Sequence, residues 1–445
     1  MTADWKTMTP EQKYEALWAK FLSTEDKPFA SPQTAELYRR RVQRLKDVCE
    51  LKKPDAVPIL LAVGNYVAEY AGISHGDMMY DYDKMAEAII KFNVDFDLDY
   101  QVAGNGLPGK AFDRLGFRTY RWPGNGLPKH MPFQMVEDEY MLPDEYDQLI
   151  ADPEGFFLRV YMPRIMKSLE GWKMLPSLYG VMELPMALIL LGTLTVPAVQ
   201  EGFQAWIDAG RLAAEFFAVA GKAGAQLTFQ HGMPNYLGGF TKAPFDIIGD
   251  TLRGTRGIMI DMYRQPDKLL AAVERLVPIA TQMGIEAAMS AGLPLVFIPL
   301  HKGADGFMST KDFNRFYWPT LKAVCEGLIE AGCVPFLFVE GGYNERLDAL
   351  ADSPLPAGKS MWMFDYTDLS QVKKKMGSWA CFGGNVPVSL FYAGTPQQMA
   401  DHVKKLLDTV GQDGGYFIAP GAVIDNARPE NLRAFIETAR EYGKY

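Results

Sequence analysis

The fold is decided by the stretch Leu295-Val296-Phe297-Ile298-Pro299-Leu300-His301-Lys302-Gly303, in which six apolar residues end in a polar turn. The pattern returns in the run 334–339, which ends in Glu340-Gly341-Gly342. Unbroken apolar runs of this length are typical of parallel strands buried on both faces. Because the residues between the two runs have a helical pattern, they indicate a β-α-β unit.

This unit repeats along the chain and indicates the fold class. We predict strands at 57–63, 94–100, 226–230, 295–300, 334–339, 360–364, 380–384 and 416–419. Helical segments alternate with the later runs as far as residue 442. This rhythm favours an α/β fold, a closed (β/α)8 TIM-type barrel, over an open sheet. We predict a helical extension at 1–55 and the barrel at 56–445, with a long, aromatic-rich excursion at about 104–170.

The composition excludes several classes of protein. The 445 residues carry a net charge of -9 without a block of Lys or Arg, so nucleic acid is not an expected partner. The four cysteines are dispersed and residues 1–14 lack an apolar run, so we expect reduced thiols and a cytoplasmic location. The apolar segment 181–199 contains Glu183 and two prolines. It therefore predicts a buried strand–turn–helix and no membrane partner.

Polar residues follow the predicted strands, and these are the candidate site residues because barrel enzymes carry their chemistry at the carboxyl ends of the strands. The candidates are Asp99, Tyr100, Gln101, His231, His301, Glu340, Asp365 and Asn385. We expect His301, Glu340 and Asp99 to be catalytic and the others to bind substrate. Each also has a structural alternative: His301 as a helix cap, Glu340 as a partner of Arg346, and Asn385 as a turn residue. A Walker loop, a GxSxG elbow and an HExxH motif are all missing from the sequence.

Four short motifs resemble the uroporphyrinogen decarboxylase superfamily, whose fold is a (β/α)8 barrel. These motifs are Gly64-Asn65-Tyr66-Val67-Ala68-Glu69-Tyr70, Ala243-Pro244-Phe245-Asp246, Cys381-Phe382-Gly383-Gly384-Asn385-Val386-Pro387 with Gly394-Thr395-Pro396, and Arg428-Pro429-Glu430-Asn431-Leu432. The resemblance covers about 57–442 and is weakest over 104–170.

The resemblance also indicates what this chain lacks. The two arginines that hold substrate carboxylates in the decarboxylases correspond to Leu61 and Asn65, and the family tyrosine corresponds to Asp250. The family aspartate corresponds to Asp99. A tetrapyrrole with eight carboxylates needs cationic partners, so porphyrinogen decarboxylation is not expected. A decarboxylase or lyase acting on a smaller carboxylic acid is the alternative, supported by Asp99.

The chain looks more like the corrinoid-linked methyltransferases of the superfamily. Where some of these carry a zinc-binding His-x-Cys and a later Cys, this sequence has Phe338, Glu340 and Pro387, so a cysteine-based zinc site is not expected. The resemblance is to the long methyltransferases of demethylation systems. It implies methyl transfer between a methylated small molecule, a separate corrinoid protein and tetrahydrofolate. Members of the family often dimerise, so a homodimer is also among the expected assemblies.

Methyl transfer from an ether or an amine needs an activated leaving group. His301, with Glu340 and His231, could supply either an acid or the ligands of a metal such as zinc. Asp365, Asn385 and Asp99 are the candidates for contacts with a pterin, and Asp250 is a substrate-binding candidate. A third hypothesis is a binding protein that retains the barrel pocket without catalysis.

Overall fold

The computed structural model describes residues 3–445, so the first two residues of the predicted extension lie outside it. A small inserted sheet contains β1 (Tyr120–Pro123), β2 (Gly126–Leu127) and β3 (Gln134–Met135). Six parallel strands follow in chain order, each paired with the next: β4 (Leu237–Phe240), β5 (Leu295–Leu300), β6 (Val334–Val339), β7 (Met361–Phe364), β8 (Cys381–Gly384) and β9 (Tyr416–Phe417).

Two extended segments near residues 57–63 and 98–102 complete the barrel. The first runs parallel to β9, because the Leu60 N–H donates to Ile418 O and the Ile418 N–H donates to Pro58 O. The second is tied to the segment before β4 by a hydrogen bond from the Gln101 N–H to Pro234 O. With β4 to β9 these segments make eight, which confirms the predicted (β/α)8 barrel.

Alternation along the strands separates two apolar cores. All six residues of β6 are buried. Phe336 and Phe338 point into the barrel and contact the ring of Phe297, whereas Leu337 and Val339 pack with the surrounding helices. Strands covered on both faces must be apolar throughout, which is why these runs are recognisable in the sequence.

The N-terminal helices close the amino-terminal end of the barrel. Trp18 and Val42, from helices Pro10–Leu22 and Pro32–Cys49, are fully buried and belong to the same apolar core as the interior of the barrel. The Arg41 guanidinium donates to the carbonyls of His231 and Gly232 just before β4. The site can therefore open only at the carboxyl ends of the strands.

The other helices surround the barrel or form the insertion. Before the long crossover helix they are Ala3–Thr7, Tyr66–Ala71, His75–Tyr80, Tyr82–Asp95, Gly109–Leu115, Tyr146–Ala151, Pro153–Phe156, Phe157–Tyr161, Met162–Ile165, Lys167–Met174, Leu178–Met182 and Leu184–Thr193. From there they are Pro197–His231, Pro244–Asp246, Ile247–Leu252, Gly254–Arg264, Pro266–Ala291, Thr310–Asp312, Phe313–Tyr317, Trp318–Glu330, Asn344–Arg346, Leu347–Asp352, Leu369–Met376, Val388–Tyr392, Pro396–Val410 and Pro429–Tyr442.

Two of the predicted strands are wrong. Residues 226–230 are the last turns of helix Pro197–His231, in which Leu227 lies on the buried face. Residues 94 and 95 end helix Tyr82–Asp95, and the extended segment starts only near residue 98. A short apolar run cannot by itself distinguish a buried strand from the buried stripe of a helix. As a result, His231 and Asp99 lie before barrel segments and not at their carboxyl ends.

The insertion between the second and third barrel segments is longer than predicted and extends to helix Pro197–His231. A buried ion pair anchors it to the barrel helices: Arg253 Nε lies 2.6 Å from Asp261 Oδ2, and the Arg253 guanidinium also donates to Met141 O. The Tyr146 hydroxyl donates to the same Asp261 carboxylate. The insertion is therefore held over the carboxyl ends of the strands.

The apolar segment after residue 180 differs from the prediction. Helix Leu184–Thr193 has no buried residue, and the exposed fraction is 89% for Leu184 and 69% for Ile189. The predicted buried strand–turn–helix is therefore wrong. Over residues 3–445, no single helix has the length and hydropathy to cross a membrane. Helices Leu184–Thr193 and Pro197–His231 meet those criteria only as a pair bent by 78°.

Candidate active site

Four predicted residues lie together at the carboxyl ends of consecutive strands. His301 follows β5, Glu340 follows β6, Asp365 follows β7 and Asn385 follows β8. His301 Nε2 is 3.6 Å from Glu340 Oε1, and the Gly341 N–H donates to the Asp365 carboxylate. Parallel strands in matched register end at the same edge of the barrel, which is why residues so far apart in the chain meet there.

Asp250, the other predicted substrate-binding residue, pairs directly with His301. It lies on the helical turn Ile247–Leu252 after β4, and its Oδ2 is 2.6 Å from His301 Nδ1. The same carboxylate accepts from Lys242 Nζ at 2.6 Å and lies 3.1 Å from Lys302 Nζ. One buried carboxylate is thus surrounded by three cationic groups.

These contacts determine the ionisation states of Asp250 and His301. Burial opposes ionisation of Asp250, but the hydrogen bond from His301 and the charge of Lys242 outweigh it and hold the Asp250 pKa well below its usual range. Burial would also lower the pKa of His301, but the contacts with Asp250 and Glu340 raise it to about 10. At neutral pH the site therefore contains an imidazolium, with Nδ1–H bound to Asp250 and Nε2–H available to a ligand.

A second carboxylate, Asp246, holds the backbone of the site in place. It is fully buried and accepts hydrogen bonds from the His301 N–H, the Lys302 N–H and the Tyr317 hydroxyl. Burial and the nearby charge of Asp250 raise the pKa of Asp246. Because all three donors lie at or behind the turn after β5, Asp246 positions His301 and does not face a ligand.

Asp365 and Asn385 differ in which side-chain atoms remain available to a ligand. Burial, together with the charge of Glu340, raises the pKa of Asp365 to about 6 against the hydrogen bond from the Gly341 N–H. The Asn385 amide nitrogen donates to the carbonyls of Asp365 and Thr367, so its NH2 group is used within the protein. This agrees with the structural alternative for Asn385, which leaves only its side-chain oxygen for a ligand.

The other predicted residues lie at the opposite end of the barrel. Asp99 forms ion pairs with Arg41, Arg44 and Arg440. The hydroxyl of its neighbour Tyr100 donates to Arg41 O. Asp99 is therefore not at the site, because the segment that contains it starts, and does not end, at this residue.

Gln101 and His231 also lie at that end. The Gln101 side chain donates to Gly224 O and to Met233 O, and so ties the second barrel segment to the end of the crossover helix. His231 ends that helix, so the proposed metal site of His301, Glu340 and His231 does not form. Within residues 3–445, no group of three or more His, Cys, Asp or Glu side chains is placed to hold a metal ion.

Several residues of the site were missed from the sequence. Asp246 lies four residues before Asp250 in the Ala-Pro-Phe-Asp motif, a spacing that could have indicated a shared helical face. Lys242 and Lys302 lie close to the predicted residues, but no sequence motif indicated that they belong to the site. Across the mouth, the Asn105 amide donates to Asn65 Oδ1.

The insertion lies over the mouth of the barrel and borders a partly open cavity of about 160 Å³ beside His301. Lys242, Asp250 and His301 form its polar wall, and Tyr120 and Tyr140 of the insertion lie opposite. A closed barrel with an ionised histidine–carboxylate pair at the carboxyl ends of its strands is the architecture of a (β/α)8-barrel enzyme site.

Comparisons with known proteins find a family that matches the second half of the chain. Residues 223–442 match the model of the uroporphyrinogen decarboxylase (URO-D) family. The uroporphyrinogen decarboxylase of Salmonella dublin is 27% identical over 203 residues, which cover 44% of this chain and 55% of that protein. That of Klebsiella pneumoniae is 26% identical over 203 residues, with the same coverage of 44% and 55%. Residues 223–442 therefore match the URO-D family, as the motifs predicted, and the chain spans about half the length of these curated relatives.

A solved structure shares the fold over nearly the whole chain. A methyltransferase from Methanosarcina mazei superposes with a TM-score of 0.57 at 16% identity, covering 91% of this chain and 98% of that one. At this level of identity the likeness shows the fold alone.

Proposed function

We propose that this chain is a methyltransferase that moves a methyl group between a small molecule, or tetrahydrofolate, and a corrinoid held by a separate protein. The observation that carries the proposal is the His301–Asp250 ion pair at the wall of a cavity at the mouth of the barrel. It provides a charged donor where a leaving oxygen or nitrogen needs one.

His301 acts on the leaving group. When a methyl group departs from oxygen or nitrogen, the bonding electron pair stays on that atom. The Nε2–H of an imidazolium can donate to this atom and then transfer its proton. Asp250 keeps the ring oriented through Nδ1 and stabilises its positive charge. The Glu340 Oε1 atom lies 3.6 Å from His301 Nε2, so Glu340 can interact with the Nε2–H when no ligand is bound.

The two positions at which the decarboxylases carry substrate-binding arginines hold uncharged residues in this chain. Leu61 is buried in the apolar core. At the second arginine position, the Asn65 side-chain oxygen accepts a hydrogen bond from the Asn105 amide. The Asn65 backbone N–H donates to the Asp425 carboxylate. No guanidinium is present at either position to hold a substrate carboxylate. This supports a smaller substrate than a tetrapyrrole.

The corrinoid, as the methyl acceptor, would supply a strongly nucleophilic cobalt, and this chain supplies the site that it approaches. For a folate, Asp365 and the Asn385 side-chain oxygen lie side by side at the mouth and could accept hydrogen bonds from pterin N–H groups. At neutral pH Asp365 is mostly ionised, since its pKa is raised only to about 6. A homodimer is part of the proposal and is tested by sedimentation velocity.

The experiment combines the purified chain with cob(I)alamin and a panel of an aryl methyl ether, a methylamine and methyltetrahydrofolate. Formation of methylcobalamin, followed by absorbance, supports the proposal, and failure with every donor contradicts it. His301→Gln should lower the rate at least a hundredfold, in the range typical of a lost general acid. The matched control His231→Asn should leave it unchanged. Full activity of His301→Ala and Glu340→Ala in a reconstituted methyl transfer pathway would favour a binding protein.

A decarboxylase or lyase acting on a smaller acid is the second candidate. The observation that favours it is the placement of Lys242 beside His301, because two cations can hold one carboxylate. It predicts release of CO₂ from a small carboxylic acid in the absence of any corrinoid. Such release, lost in Lys242→Gln, would reverse the order of the two proposals.

A further inference from the structure

A second cavity lies within the insertion. Its volume is about 310 Å³, and five rings form most of its wall: Phe112, Phe117, Tyr120, Trp122 and Phe133. We call it the aromatic cavity. All five rings precede residue 223, so the cavity lies outside the part of the chain that matches the family model.

The aromatic cavity adjoins the active site. The Tyr120 side chain borders both the aromatic cavity and the cavity beside His301. Burial and the charge of Asp250 raise the pKa of Tyr120, so its hydroxyl lies within electrostatic reach of the ion pair. Pairing of Tyr120 with Met135 in the inserted sheet holds this residue in place.

The cavity has the size and chemistry of a binding site for a ring. The cavity is partly open to solvent, since the Tyr120 side chain in its wall is 38% exposed. Its volume is sufficient for an aromatic ring, because a cavity of roughly 150 Å³ is known to hold benzene. No charged side chain lines the wall. The Trp122 indole N–H already donates to the Tyr80 hydroxyl, which leaves the Tyr120 hydroxyl as the polar group of the wall without a partner among the described residues. An uncharged planar ring fits these walls.

Charge distinguishes a neutral ring from a methylated ammonium, which aromatic walls can also bind. The polar wall next to Tyr120 carries Lys242, His301 and Asp250, two cations and one anion. Lys242 and His301 on this wall disfavour a cationic ligand and favour a group that becomes negative as it leaves.

We propose that the aromatic cavity binds the ring of an aryl methyl ether, with the methoxy group directed past Tyr120 toward His301. This inference rests on the proposed methyl transfer. The methyl–oxygen bond breaks with its electron pair on oxygen, and the methyl carbon bonds to the electron pair of the reduced corrinoid. The phenolate then takes the proton of His301 Nε2. An acid whose pKa is about 10 is matched to a phenolate, because phenols have a similar pKa.

The test measures binding by calorimetry, without a corrinoid. The probes are 2-methoxyphenol, 2-methoxycyclohexanol as the same hydroxy ether without an aromatic ring, and tetramethylammonium. We expect 2-methoxyphenol to bind at least tenfold more tightly than either of the others. Phe117→Ala should weaken its binding at least tenfold, and Phe117→Leu should weaken it less. Tyr263→Ala, which removes a ring that is 75% exposed and is not part of the cavity wall, is the matched control and should have no effect.

Thermal unfolding shows whether each variant is folded. Preference for tetramethylammonium, or unchanged affinity in a folded Phe117→Ala variant, would overturn the inference. Binding of 2-methoxyphenol without methyl transfer to cob(I)alamin would leave the cavity assignment standing and contradict the proposed function. Methyl transfer from another donor, with no binding of 2-methoxyphenol, would support the proposed function and contradict the cavity assignment.

Discussion

Removal of the Asp250 carboxylate tests the electrostatics of the site most directly. Asp250→Asn keeps the shape of the side chain but removes the charge that lies 2.6 Å from His301 Nδ1. Burial and the neighbouring Lys242 then oppose the imidazolium, and the half-exposed Glu340 and the buried Asp246 are the carboxylates that still favour it. We expect the pKa of His301 to fall from about 10 to about 7 or lower.

The magnitude follows from the size of the shift. A rise in pKa from 6.5 to about 10 corresponds at most to ~5 kcal/mol, at about 1.4 kcal/mol for each tenfold change in the proton equilibrium. One third of the His301 side chain is exposed, so solvent screens the pair, and we expect about 2 kcal/mol. Because the folded-state pKa is raised, this stabilisation is fully present below about pH 6.5 and is lost as the pH rises through about 10.

The assay is a titration of the imidazole nitrogens by NMR between pH 5.5 and 10.5. The chain has five histidines, so the His301 signal is assigned with His301→Gln. Urea unfolding at pH 7 and pH 10 measures the free energy. Wild type should lose about 2 kcal/mol more than Asp250→Asn over this range, and His231→Asn should behave as wild type. A wild-type His301 that titrates near 6.5, or a variant that still titrates near 10, would refute the reasoning.

Three further predictions concern stability and surface. Arg253→Met leaves the Asp261 carboxylate buried without its cationic partner and should lower the free energy of unfolding by about 3 kcal/mol, measured in urea. An effect below about 1 kcal/mol would show that the pair does not anchor the insertion. The double variant Leu188→Ser/Ile189→Ser should reduce binding of an apolar dye and concentration-dependent association, because both side chains are more than two-thirds exposed; unchanged dye binding would contradict this. All four cysteines are buried and burial raises their thiol pKa values, so they should react with a thiol reagent at pH 8 only after unfolding; rapid reaction of the native protein would contradict this.

The late strands were predictable because each is covered on both faces. The runs 295–300 and 334–339 agree with β5 and β6 residue for residue. In the first half of the chain the pattern failed. The apolar residues of 226–230 belong to the buried stripe of a 35-residue helix, and periodicity over five residues does not separate the two cases. Asp99 was misplaced because the predicted strand began a few residues too early, at residues that belong to the preceding helix.

The sequence by itself determined the barrel, the resemblance to the URO-D family and the polar residues that follow strands β5 to β8, because strand burial and strand ends are local features of the chain. Only the tertiary structure decided which of these residues share a site. Asp250 reaches His301 across 51 residues, whereas Asp99 lies at the opposite end of the barrel, where it pairs with three arginines. The charge of His301 is also a tertiary property, since it depends on burial and on carboxylates from two other segments.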